Sequence, residues 1–123
     1  MPIPGRKPDR DADGGSVTIE AAIGLAVLAL VLAVCLAGIA CLMAQLRCAD
    51  AAREAARLAG RGDDAAAAQA VSALAPAGAS LSLSGGGDLV TATVTAAPVG
   101  GLLPGVIIEA TASAAREPQV SGP

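Results

Sequence analysis

An uninterrupted run of 26 uncharged residues, Ala21 to Leu46, constrains this chain more than any other feature of its sequence. As a helix the run would be about 39 Å long, whereas the hydrocarbon core of a bilayer is about 30 Å thick. Gln45 is its one strongly polar side chain, and no face of the run is polar. The pattern therefore predicts a single membrane-spanning helix near the N-terminus.

The water-soluble remainder is small, because 20 residues precede the run and 77 follow it in a chain of 123. A core of that size is marginal by itself. The chain also has no Phe, Tyr or Trp, the side chains that usually supply most buried area. We expect the soluble part to gain stability from the membrane helix or from neighbouring subunits.

Charge and composition exclude several classes of function. The net charge is −3, from 8 basic and 11 acidic residues, which argues against nucleic-acid binding. The chain has no His, the commonest general base and metal ligand. With Tyr missing as well, we expect no enzyme activity, no cofactor, no metal site and no small-molecule substrate.

The apolar run continues into a segment rich in Ala, Arg and Glu, which are strong helix formers. No helix breaker separates the two, so the pattern predicts one continuous helix from about Val17 to Ala59. Two pairs on its outer part, Asp50 with Arg53 and Glu54 with Arg57, are spaced three apart and are expected to form ion pairs.

The remaining signals predict an α+β fold in which the long helix is followed by a short one and a small antiparallel sheet. Gly60 and Gly62 end the first helix, and the second begins at Asp63 and Asp64 and stops before Pro76. Alternating apolar and polar residues then predict two strands, at 79–84 and 89–96, joined by a GGGD turn at 85–88. A third strand is predicted at 106–114, after a loop at 98–105. The predicted organisation is an unstructured leader at 1–15, the membrane helix and its extension at 16–62, a small extracytoplasmic domain at 63–116, and a tail at 117–123.

A motif lies directly before the apolar run, in the stretch GGSVTIEAA, where a glycine at position 15 precedes Glu20 by five residues. The stretch resembles the processing site of type IV prepilins, in which a membrane aspartic peptidase cuts after the glycine. The resemblance implies a cut between Gly15 and Ser16, which makes Glu20 the fifth residue of the mature chain.

The order GSVTIEAA and the later stretch CADAAREAARLAGRG also resemble the TadE-like family, the pilin-like minor subunits of tight-adherence systems. This resemblance covers roughly residues 14–62. It implies a single-pass protein of the cell membrane, with its N-terminus in the cytoplasm and residues 47–123 outside. The implied partners are membrane lipid, the prepilin peptidase and other pilin-like subunits.

Glu20 is a candidate assembly residue, because a carboxylate at the end of a membrane helix is costly unless it is paired. In a filament it would pair with the new N-terminal ammonium at Ser16 of a neighbouring subunit. The alternative is that Glu20 lies at the level of the lipid headgroups, with Ser16 or Thr18 capping the helix.

Two further groups of residues have alternative interpretations. Four arginines follow the run: Arg47, Arg53, Arg57 and Arg61. One interpretation is that they contact anionic lipid or a partner, and the other is that they form a solvated helix face. The three cysteines are interpreted as small apolar fillers of a helix face, although Cys41 and Cys48 share a face that would permit a disulfide between subunits.

Other interpretations of the N-terminal half fit less well. The run is too long for a typical secretory signal peptide, and acidic residues precede it. A lipoprotein signal at Cys35 is disfavoured by Val34 and by the depth of the cysteine in the run. The main alternative is an unprocessed, single-pass accessory protein of a secretion complex.

Overall fold

The computed structural model describes residues 2–5, 10–98 and 104–118, with side chains in the first helix described from Gly14 onward. Helix α1 spans Arg10–Gly60 and helix α2 spans Asp64–Leu74. Three strands follow: β1 (Ser80–Gly86), β2 (Leu89–Ala96) and β3 (Ile108–Ala115). The α+β fold predicted from the sequence, with its three-stranded antiparallel sheet, is confirmed.

Helix α1 begins at Arg10, seven residues before the predicted start at Val17. Residues 10–15 of the predicted leader are therefore helical, and the prediction that they lack regular structure is wrong. An existing helix gains one hydrogen bond for each residue it adds and does not have to nucleate again. No proline follows Pro8 until residue 76 to stop that extension. The other parts of the predicted leader, loop and tail at residues 1, 6–9, 99–103 and 119–123 lie outside the described residues.

The chain divides into two compact units, Met1–Leu36 and Ala37–Pro123. In the first unit every described side chain from residue 14 to residue 36 is exposed. In the second unit the last part of α1, which the sequence pattern predicts as an extension of the membrane helix into water, packs with α2 and the sheet in one core.

Alanine dominates that core. Seven α1 side chains are buried at spacings of three or four residues, the repeat of one helix face: Ala44, Cys48, Ala51, Ala52, Ala55, Ala56 and Ala59. Ala67 and Val71 of α2 join them. The sheet contributes Val90, Ala92, Val94, Ala96, Ile108 and Ala110. Alanine and valine thus supply most of the core in place of the aromatic residues that the chain lacks.

The sheet has the order β1-β2-β3, and its register separates two faces. Leu81 pairs with Val94, which pairs with Ala110, and all three face the core. On the opposite face the polar positions align in rows such as Ser82, Thr93 and Thr111. Alternation along each strand therefore sets which face is buried.

Candidate functional site: the two ends of the apolar run

The predicted cleavage site lies inside helix α1. Nothing lies within 4 Å of a Cβ built at Gly14 or at Gly15, and Ser16 is exposed. The Thr18 hydroxyl donates a hydrogen bond of 2.9 Å to the Gly14 carbonyl oxygen one turn earlier. Since the helix begins at Arg10, neither Ser16 nor Thr18 caps it, and that part of the alternative interpretation is wrong.

Glu20 is exposed and lies one helical turn beyond Ser16. Residues four apart in a helix share one face, so the backbone places the Ser16 position and the Glu20 carboxylate side by side. Among the side chains that the structure describes, no Arg or Lys nitrogen lies within 4.0 Å of this carboxylate. Glu20 thus lies at the beginning of the apolar run, and none of the described side chains gives it a cationic partner.

From Ala21 to Leu36 the apolar side chains are exposed on every side of the helix. Leu25, for example, is 67% exposed and Leu32 is 58% exposed. This helix is the one, among the residues that the structure describes, that is long and apolar enough to cross a membrane. The predicted spanning segment is therefore present as a helix with an apolar surface all round.

At the far end of the run, Arg47 holds the end of α2. Its Nε atom donates to the Leu74 carbonyl oxygen at 3.2 Å, and one Nη atom donates to the Ala75 carbonyl oxygen at 3.4 Å. The last carbonyls of a helix have no partners within it and carry a partial negative charge. Arg47 therefore caps α2 across a sequence separation of 27 residues.

The other three arginines of the predicted cluster pair with carboxylates. Arg53 lies 3.3 Å from Asp50, and the Arg57 Nε atom lies 3.0 Å from Glu54, so both predicted ion pairs are confirmed. The hydrogen bond from Arg57 lowers the pKa of Glu54 below its ordinary value. Arg61 pairs with Glu117 at 3.7 Å.

The three cysteines are free and differ in exposure. Cys35 is exposed, Cys41 is half-buried, and Cys48 is fully buried in the core. Burial raises the pKa of the Cys48 thiol, and the nearby Arg47 charge offsets this only in part. Cys48 therefore fills the helix face as the sequence indicates and is not exposed for a bridge to a second subunit.

The described residues contain no group of three or more His, Cys, Asp or Glu side chains that could hold a metal ion. The two candidate residues of the site instead lie at the two ends of the apolar run. Glu20 marks the first end and Arg47 marks the second.

Comparison with known proteins identifies one clear relationship. No protein-family model matches the chain, and no solved structure matches it significantly. The chain is 47% identical over 100 residues to the protein named apoptosis inhibitor Rv3655c of Mycobacterium tuberculosis (strain ATCC 25618 / H37Rv). The aligned segment covers 81% of this chain and 78% of the relative. The chain therefore belongs to the same protein family as that mycobacterial protein.

Proposed function

We propose that this protein is a TadE-like, pilin-like minor subunit of a tight-adherence or type IV pilus-type assembly. It is cut after Gly15 by a prepilin peptidase and anchored in the cell membrane by the 21–46 segment of α1. The leader faces the cytoplasm and residues 47–123 lie outside. Its role is structural, and its partners are membrane lipid and other pilin-like subunits.

The observation that carries this proposal is the position of Glu20 at the start of a helix whose surface is apolar all round. An unpaired carboxylate at the edge of a membrane is unfavourable. Cutting before Ser16 creates an ammonium group of opposite charge on the same helix face. The new amino group then pairs with Glu20 of a neighbouring subunit, or with its own Glu20 before assembly.

The helix around the cut favours access by a peptidase. Two adjacent glycines, Gly14 and Gly15, occupy helical positions, and each is about 1 kcal/mol less favourable there than alanine. No side chain packs on either glycine. Unwinding this turn to the extended form that a peptidase binds therefore breaks few contacts.

Intact-mass measurement tests the cut. The full chain is produced with and without a prepilin peptidase, and we expect a mature chain that begins at Ser16 only when the peptidase is present. Gly15→Leu should block the cut because it puts a bulky side chain beside the scissile bond. Gly14→Leu is the matched control, since this glycine is equally helical and equally free of neighbours.

A full-length chain in the presence of active peptidase would contradict the proposed processing. It would support the alternative, an unprocessed single-pass accessory protein of a secretion complex. Such a protein would use the second compact unit as a binding module.

The role of Glu20 is tested separately, by measuring how much of each variant protein is incorporated into the envelope assembly. Glu20→Ala should reduce incorporation strongly, because it removes the charge that pairs with the ammonium. Glu20→Asp keeps the charge and should preserve part of the incorporation. If Glu20→Ala is incorporated at the wild-type level, the carboxylate is not an assembly contact.

The relative suggests a second candidate function. Its name describes an inhibitor of apoptosis, and the 47% identity favours testing this chain for the same effect. The purified full chain is added to cells treated with an apoptosis inducer, and caspase activation is measured. Activation equal to that with a buffer control would remove this candidate.

A further inference from the structure

A groove opens in the second compact unit beside the point where the apolar run ends. Its volume is about 330 Å³, within the size range of small-molecule sites. Six of its lining residues are apolar or small and one is charged: Ala40, Met43, Ala44, Pro76, Ala77, Ala97 and Arg47. The groove therefore combines an apolar wall with a single cation.

That cation differs from the next three arginines along the chain. Arg53, Arg57 and Arg61 each have a carboxylate within 4.0 Å. Among the described side chains Arg47 has none, and it donates only to two backbone carbonyls. The end of a helix supplies only about half an elementary charge, so part of the positive charge of Arg47 is uncompensated. An arginine has five N–H donors, which leaves donors for an anion.

The position of the groove fixes the environment of its occupant, provided that the chain is inserted in a membrane as proposed above. Ala40, Met43 and Ala44 belong to the apolar run, and Arg47 is the first charged residue after it. An arginine at this position of a spanning helix lies at the level of the lipid headgroups.

We propose that the groove is a binding site for one anionic phospholipid. The phosphate binds the free donors of Arg47, and an acyl chain lies along Met43 and Ala40 toward the bilayer interior. A phospholipid matches the groove because its two parts have the same arrangement as the lining residues. Its anionic head reaches Arg47 at the membrane surface, and its apolar chain reaches the apolar residues that lie deeper in the bilayer. A soluble phosphate would use only Arg47 and would leave the apolar wall uncovered.

The test uses the full chain in nanodiscs that contain equal amounts of phosphatidylglycerol and phosphatidylcholine. The protein is extracted in mild detergent, and the retained lipids are counted by native mass spectrometry. We expect one retained phosphatidylglycerol per chain, preferred about fivefold over phosphatidylcholine. That factor corresponds to the roughly 1 kcal/mol expected for one cationic side chain at an anionic membrane surface.

Arg47→Gln should abolish the preference, whereas the matched control Arg53→Gln should leave it unchanged, because Arg53 does not line the groove. Arg47 also caps α2, so folding of each variant is checked by circular dichroism. Ala97→Leu provides a second variant that fills the groove and keeps Arg47. It should reduce the number of retained lipids.

Four results would overturn the proposal. They are no preference in the wild-type chain, an unchanged preference in Arg47→Gln, an unchanged number of retained lipids in Ala97→Leu, and displacement of the lipid by millimolar glycerol phosphate. Retention of a lipid-free dimer would instead show that a second copy covers the groove. A chain that fails to enter nanodiscs at all would contradict membrane anchoring itself. An anchored and correctly processed chain without lipid preference would contradict only this inference.

Discussion

Replacing Gly60 by alanine tests the close contact between helix α1 and the sheet. Gly60 is the last residue of α1, and its carbonyl oxygen accepts a hydrogen bond of 2.8 Å from the Glu117 amide. A Cβ built at Gly60 would lie 2.7 Å from the Ala115 carbonyl oxygen. That oxygen belongs to the backbone of β3, so it cannot move aside as a flexible side chain would.

The expected effect is the difference between two opposing terms. Overpacking typically costs about 1–3 kcal/mol. Alanine is favoured over glycine in a helix by about 0.5–1 kcal/mol, and this gain is smaller at the terminal residue. We therefore expect Gly60→Ala to lower the free energy of unfolding by about 1–2 kcal/mol. For a unit of this size that is a fall in the melting temperature of about 4–16 °C.

Gly86→Ala is the matched control, with the opposite expected sign. Gly86 ends β1, its φ is not in the left-handed region, and nothing lies within 4 Å of a Cβ built there. Alanine at such a position stabilises by about 0.4–1 kcal/mol, because it restricts the unfolded chain. Both variants are measured by thermal unfolding in detergent, followed by circular dichroism. If Gly60→Ala is as stable as the wild type or more stable, the helix and β3 are not in the contact described.

Three further predictions concern the second compact unit. Val94→Ala should lower the free energy of unfolding, measured by denaturant titration, by about 2–3 kcal/mol, because it removes two methyl groups from a fully buried site and leaves a cavity. In the same assay Val106→Ala should have little effect, because Val106 is 44% exposed. Asp63→Ala should lower the free energy of unfolding by about 1 kcal/mol, because the Asp63 carboxylate accepts a hydrogen bond of 3.0 Å from the Ala66 amide in the first turn of α2. An unchanged melting temperature would contradict this capping role. At pH 8, N-ethylmaleimide should modify Cys48 only after denaturation, because Cys48 is buried and its raised pKa keeps it in the less reactive thiol form. Equal rates at Cys48 in the folded and the denatured chain would show that the core is open.

Several elements could be predicted from the sequence because their physical cause is local. The absence of charge from Ala21 to Leu46 is enough to predict a spanning helix. Asp63 followed by an alanine-rich stretch and Pro76 gives the bounds of α2 to within a residue or two. Alternation of apolar and polar residues predicts the first two strands.

One part of the candidate site can be predicted from the sequence and another part cannot. The interval between Gly15 and Glu20 can be found in the sequence, and the proposed cut depends on it. The partners of Arg47 cannot be found there, because they are backbone carbonyls 27 and 28 residues away and no side chain signals them. The groove beside Arg47 likewise exists only once α2 and the end of β2 lie next to α1.

The sequence by itself determined the secondary structure, the apolar helix and the motif at its start, since each depends on neighbours a few residues apart. Only the tertiary structure decided that the outer part of α1 is a core element and not a solvated extension of the membrane helix. The spacing of Cys48, Ala52, Ala55 and Ala59 outlines a helix face, but alanine is common on exposed and buried faces alike. That face is buried because the core side of the sheet, which combines alanines with Val90, Val94 and Ile108, lies against it, and these strands come from a distant part of the sequence.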